Sequence, residues 1–267
     1  MNNMIDDLVT LIEKIKSNSY VSSYNEDQTK NGIILPILRR LGWDTENIDE
    51  VFPEFSIENQ RVDYALRLKN KQVVFLEAKR PTEDLDNEGH QDQLLKYSYK
   101  VSVELAVFTN GITWYLYLPT AGVDWKSRKF STVDLKAQES VSVANKLIEL
   151  LSKKNIESGE ALHTAKAIHQ DKMKEGAIQD AIPVAWNKII EEPDSLLLEL
   201  LAENTEKICG HRPETSTLIK FLKSHQPRIL TYILNQKTVS EPRKSATIFT
   251  KPVNIDTKLP KPRGQSI

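Results

Sequence analysis

Cysteine is almost missing from this 267-residue chain, where Cys209 stands alone. That excludes an internal disulfide framework and any zinc site built on several thiolates. No apolar run approaches the ~18 residues of a membrane-spanning helix. Neither sign of charge prevails, the formal net charge being -1. A nearly neutral chain exerts no global pull on nucleic acid, so a DNA site must come from local patches. A G-x-x-x-x-G-K-[ST] phosphate loop is also missing: Gly210 is the only glycine between Gly176 and Gly264 and lacks that context. The N-terminus carries Asp6 and Asp7 and no signal-peptide pattern, so a cytoplasmic protein with no membrane association is expected. What is there, 39% hydrophobic and 27% charged residues, suits a soluble globular protein of one large or two small domains.

The chain is organised around Arg61 to Pro81, RVDYALRLKNKQVVFLEAKRP. Val62, Tyr64, Leu66 and Leu68 alternate with polar or small residues, the period of a half-buried strand. Lys69, Asn70 and Lys71 make a polar hairpin turn. Val73 to Leu76 is an unbroken apolar run, as for a strand covered on both faces, and Pro81 ends it. Glu77 and Lys79 share a face at the end of this run. Asp63 lies on the neighbouring strand, opposite in parity to its apolar stripe. Half-buried charges of this kind cost several kcal/mol unless paired or bound to a metal. Two readings fit: a structural salt bridge of Lys79 with one acid, or two carboxylates for a hard divalent cation beside a lysine that stabilises charge on a phosphate.

Along the rest of the chain, Ile5 to Lys16 reads as an amphipathic helix. Glu26 to Leu41 reads as a second, kinked or shifted by Pro36 and stopped at Gly42-Trp43. Glu26 falls in its first turn, where the helix dipole alone favours an acid. Val51 to Ile57 is a short edge strand containing Pro53. Glu83 to Gly89 is an acidic loop, and His90 to Val101 a helix with Gln93 and Tyr97 on one face. Leu105 to Thr109 and Ile112 to Leu118 form a hairpin about Asn110-Gly111. The expected class is α/β, a mixed sheet flanked by helices and closing near Pro119. Trp125 to Phe130 is assigned to a further short strand and Thr132 to Ser152 to a helix. From Ile156 the chain is helical, with apolar stripes at Leu196, Leu197, Leu200 and Leu201 and at Leu218, Ile219 and Leu222. Lys237 to Ile267 has seven basic residues against Glu241 and Asp256, with four prolines, and reads as an extended basic tail.

Asp63, then Glu77-Ala78-Lys79, after a helix bearing Glu26, resembles the PD-(D/E)xK nuclease superfamily. More narrowly, the chain is similar to the N-terminal nuclease domain of type I restriction enzyme R subunits and their stand-alone relatives. The resemblance rests on Asn25-Glu26 with Thr29, LPILRRLGW from Leu35 to Trp43, RVDYAL from Arg61 to Leu66 and FLEAKRP from Phe75 to Pro81. Gln93-Leu-Leu-Lys-Tyr97 and FTNGITWYLY from Phe108 to Tyr117 complete it, over roughly the first 120 residues.

The resemblance implies a restriction-endonuclease-like domain, assigned to residues 1–153; the patterning beyond it assigns a mainly α-helical region to 154–236 and the basic tail to 237–267. It implies Asp63, Glu77 and Glu26 as ligands of Mg2+ (or Mn2+), Lys79 as the water-orienting cation, and Gln93 and Tyr97 as a Gln-x-x-x-Tyr element beside the active site. Read without it, Gln93 and Tyr97 are one helix face with a packed tyrosine. The R subunits continue into an ATP-driven translocase, and without a phosphate loop that activity does not carry over. The expected function is a magnesium-dependent DNA endonuclease of a restriction or phage-defence system. A DNA-binding or assembly subunit that needs restriction-modification partner subunits is the alternative, and an RNA-directed or repair nuclease is a third. Cutting both strands with one site per chain would suit a homodimer.

Overall fold

The structure, a computed structural model, describes residues 2–57, 60–86, 88–122 and 124–224. The basic stretch from Lys237 onward lies outside them. The chain forms two compact units, Met1–Asp180 and Ala181–Ile267.

The first unit is α/β, with a six-stranded sheet in sequence order: β1 (Val51–Ile57), β2 (Gln60–Leu68), β3 (Lys71–Ala78), β4 (Leu105–Thr109), β5 (Thr113–Tyr117) and β6 (Lys129–Asp134). All neighbours are antiparallel except β3 and β4, which are parallel because α4 (Glu88–Lys100) carries the chain back between them. Apolar side chains alternate between two faces along these strands. Tyr64, Leu66, Val74, Leu76, Ala78, Val107, Trp114 and Leu116 share one core with α1 (Asn2–Ser17), α3 (Leu35–Arg40) and α6 (Ser140–Leu151). Ala65, Phe75, Ala106, Phe108 and Tyr117 share the other with α4 and α5 (Trp125–Arg128). Residues Ala161 and Ala165 of α8 (Glu160–Glu191) join the first core, next to α7 (Lys153–Ser158).

The segment expected as one helix over Glu26 to Leu41 is three pieces. A short α2 (Glu26–Thr29), capped reciprocally by Asn25 and Gln28, runs into a π turn (Lys30–Ile34) and then into α3. The Leu35 N–H reaches back to the Lys30 carbonyl across this wider turn. Pro36 falls at the start of α3, where its missing N–H and fixed φ are tolerated. Gly42, at φ 91°, ends the run.

Several expectations need correction. The β2–β3 turn is Lys69-Asn70 alone, both in the left-handed region, and Lys71 already belongs to β3. Val62 does not follow Tyr64 and Leu66 but packs in the second core with Phe75, paired with Phe55 just past the left-handed Glu54 of β1. The Asn110-Gly111 connection is longer than a two-residue turn. The last Cα pair of that hairpin is Thr109 with Trp114, and only Gly111 has positive φ. The Trp125 segment is the helix α5, because Asp124 and Ser127 make a capping box. The strand lies just after it, as β6, so the sheet closes past Pro119, and α6 begins only at Ser140.

In the second unit, α9 (Ser195–Cys209) is capped by Asp194, ends at left-handed Gly210 and packs on α10 (Thr215–Ser224). Ala202, Leu218 and Leu222 are buried there, whereas Leu196 and Leu200 stay 66% and 50% exposed. The predicted leucine stripe is therefore only partly covered. No helix among the described residues is long and apolar enough to cross a membrane.

Candidate active site

The sheet brings Asp63 and Glu77 together. Tyr64 on β2 pairs with Leu76 on β3, which places the preceding and following residues side by side where the strands splay. Asp63 Oδ2 accepts the Ala78 backbone N–H at 2.7 Å, so a side chain takes over a β3 donor just past the last paired position. This locks the Asp63 carboxylate against the Glu77-Ala78-Lys79 segment. Lys79 continues β3 toward β4, its N–H donating to the Thr109 carbonyl at 2.8 Å. Its Nζ donates to Glu77 Oε1 at 2.6 Å, both side chains being mostly buried. The salt bridge anticipated from the sequence is therefore present, with Glu77 as the acid.

A fourth charged residue, which the sequence reading missed, completes the cluster. Lys30 Nζ lies 2.5 Å from Asp63 Oδ1, 2.9 Å from Glu26 Oε1 and 4.0 Å from Glu54 Oε1. Lys30 and Asp63 are each only 10% exposed at the side chain, while Glu26 is 43% exposed. Burial alone would lower the Lys30 pKa, but hydrogen bonds to Asp63 and Glu26, together with their charges, raise it above the ordinary lysine value. Glu77 is pushed up from the usual carboxylate range, first by burial and then by the negative charge of Asp63, against the opposing pull of Lys79.

Two buried carboxylates on neighbouring strands, repelling one another, have the oxygen chemistry that a hard divalent cation satisfies. Glu26 is drawn to Lys30 instead. Among the described residues no group of three or more His, Cys, Asp or Glu side chains is arranged to hold a metal ion. Tyr97 is buried in the second core with Leu94, Leu95, Phe75 and Phe108. Gln93 lies on α4, and its side chain falls outside the described residues.

The β4–β5 connection supports this corner. Asn110 Nδ2 donates to the carbonyls of Pro81 and Glu83, tying down the loop after β3. Gly111 has φ +82°, and a Cβ there would come 2.7 Å from Cγ2 of Thr29, the buried residue just before Lys30. Gly111→Ala therefore combines left-handed strain with a clash against the helix that carries Lys30. A stability loss of about 2 kcal/mol or more is expected, read from the urea midpoint.

Comparison with known proteins finds relatives of this chain. Residues 54–125 match the family described as type I restriction enzyme R protein N terminus. The chain is also 30% identical over 125 residues to the type II restriction enzyme and methyltransferase RM.Eco57I of Escherichia coli, an alignment covering 40% of this chain and 12% of that protein. No solved structure matches the chain. The matched family segment contains Asp63, Glu77, Lys79, Gln93 and Tyr97, whereas Glu26 and Lys30 precede it. Over residues 54–125, then, this chain is similar to the N-terminal domain of type I restriction enzyme R proteins.

Proposed function

We propose that the chain is a magnesium-dependent DNA endonuclease module of a restriction system. The observation that carries this is the convergence of Asp63 and Glu77 from paired strands, with Lys79 on Glu77, inside the segment that matches a restriction-enzyme family. Asp63 and Glu77 would hold Mg2+ or Mn2+, with Glu26 reaching the same site from α2. When bound, such an ion makes a water nucleophilic near neutral pH and offsets phosphate charge. The Ala78 N–H aims Asp63, and the β3 strand fixes the spacing between Glu77 and Lys79. Lys79 orients the attacking water and stabilises the charge that builds on the phosphate as the phosphorus–oxygen bond breaks. Gln93 and Tyr97 would serve from α4, Tyr97 by packing beneath β3.

The test is cleavage of methylated and unmethylated plasmid by the purified chain in magnesium, in manganese and in chelator. Asp63→Asn is the control of choice, because an amide oxygen still accepts the Ala78 N–H while the carboxylate is lost. Metal-dependent nicking that vanishes in chelator and in Asp63→Asn is the expected result. A second reading, a subunit that cuts only with a partner, is favoured by the apolar side chains left exposed on α9, including Leu196, Leu200 and Ile208. It expects no cleavage by the isolated chain and restoration by a partner subunit.

A further inference from the structure

Lys30 does not behave as its place in the sequence suggests. A lysine four residues after a glutamate on a helix normally lies in solvent as a weak surface pair. Here the side chain is 10% exposed and inserted between Asp63 and Glu26, with Glu54 at 4.0 Å. Taking an ammonium out of water is unfavourable unless a buried negative charge holds it. The backbone is adapted to the placement: the helix widens into a π turn starting at Lys30, a deviation that recurs at functional positions. Ile33, Ile34 and Ile37 stay in the core while Lys30 reaches β2.

We propose that Lys30 is an internal competing cation, whose ammonium fills the place on Asp63 that a divalent metal ion takes, so that the ion binds only as the ammonium withdraws. The proposal rests on the reading of Asp63 as a metal ligand. Asp63 Oδ2 is already engaged by the Ala78 N–H, leaving Oδ1 as the oxygen that both cations need. An ammonium and a divalent ion on one oxygen repel each other. Glu26 and Glu54, 43% and 48% exposed, offer the displaced ammonium a second position nearer solvent. Lys30 therefore keeps metal affinity low in the resting protein. An anion arriving at the surface, such as a substrate phosphate, raises that affinity by drawing the ammonium outward.

The experiment measures Mn2+ binding to the full chain by electron paramagnetic resonance of free Mn2+, for the wild type, Lys30→Gln, Lys30→Arg and Asp63→Asn, with folding checked by circular dichroism. Lys30→Gln is expected to bind Mn2+ about tenfold or more tighter than wild type, Lys30→Arg as weakly as wild type, and Asp63→Asn to lose the site. A folded Lys30→Gln protein with unchanged or weaker affinity, alongside Asp63-dependent binding in the wild type, overturns the competing role and leaves the metal site standing. No Asp63-dependent binding in either protein overturns both. A second measurement needs no variant: acetylation of Lys30 in the wild type, followed by mass spectrometry, should rise several-fold at saturating Mn2+. Unchanged labelling of Lys30 at saturation also overturns the proposal.

Discussion

Lys79→Ala is expected to leave the protein folded while lowering the rate of plasmid cleavage about 10²–10³-fold or more, the scale on which a positioned charge stabilises a transition state. The variant should remain folded because Glu77, the acid bonded to Lys79 Nζ among the described residues, already has its carboxyl pushed upward by burial and by Asp63. Losing the ammonium lets Glu77 take a proton rather than remain an unpaired buried charge. Lys79→Arg should not restore the rate, since a planar guanidinium cannot place a compact charge where the ammonium of Lys79 lies. Initial rates in magnesium, compared at matched thermal stability, decide the matter. A folded Lys79→Ala protein cutting at the wild-type rate would remove Lys79 from the chemistry.

Trp43→Ala should have the largest effect on stability, about 3–5 kcal/mol, a large part of the ~5–15 kcal/mol that a domain possesses. Trp43 is 1% exposed, and its indole N–H donates at 2.9 Å to the carbonyl of Leu151, the last residue of α6. Such a helix-end carbonyl has no acceptor role within its own helix. The same junction is laced by the Lys153 N–H on the Leu41 carbonyl and by the Lys153–Glu50 ion pair at 2.6 Å. Trp43→Phe separates the contributions: it keeps most of the buried ring but orphans the carbonyl, for about 1–3 kcal/mol. Urea unfolding of the three proteins measures both. A loss below about 1 kcal/mol for Trp43→Ala would show that the junction does not depend on it.

The strands of the first unit were legible because they bury one or both faces, and period-2 patterning records burial directly. The Arg61–Pro81 hairpin shows this, as does the placement of Asp63, Glu77 and Lys79 at its open end. Capping was under-read. Asp124 with Ser127 turns a segment containing Trp125 into a helical turn, although its aromatic content suggests a strand. Lys30 was missed for a different reason. Along the sequence it is an ordinary partner for Glu26, and only the packing of α2 and the π turn against β2 converts it into a partner for Asp63. The available signal was Pro36, six residues after Lys30 within a helical pattern, which announced an irregularity in the preceding turn without saying which side chain would turn inward. The stripe on α9 failed because heptad-like spacing records that a face is apolar, not that something covers it.

The first strand also limits how copies of this protein could assemble. An open sheet margin offers unpaired amides and carbonyls on which another chain can template itself. Strand β1 forms such a margin, and it carries Pro53, which lacks an amide hydrogen, followed by Glu54 at φ 52° with its carboxylate 2.6 Å from Arg61 Nε. The backbone is bent and charged where a neighbour would have to lie flat. If two copies meet to break both strands of a duplex, they should do so through side-chain surfaces, and a continuous intermolecular sheet across β1 is not the route.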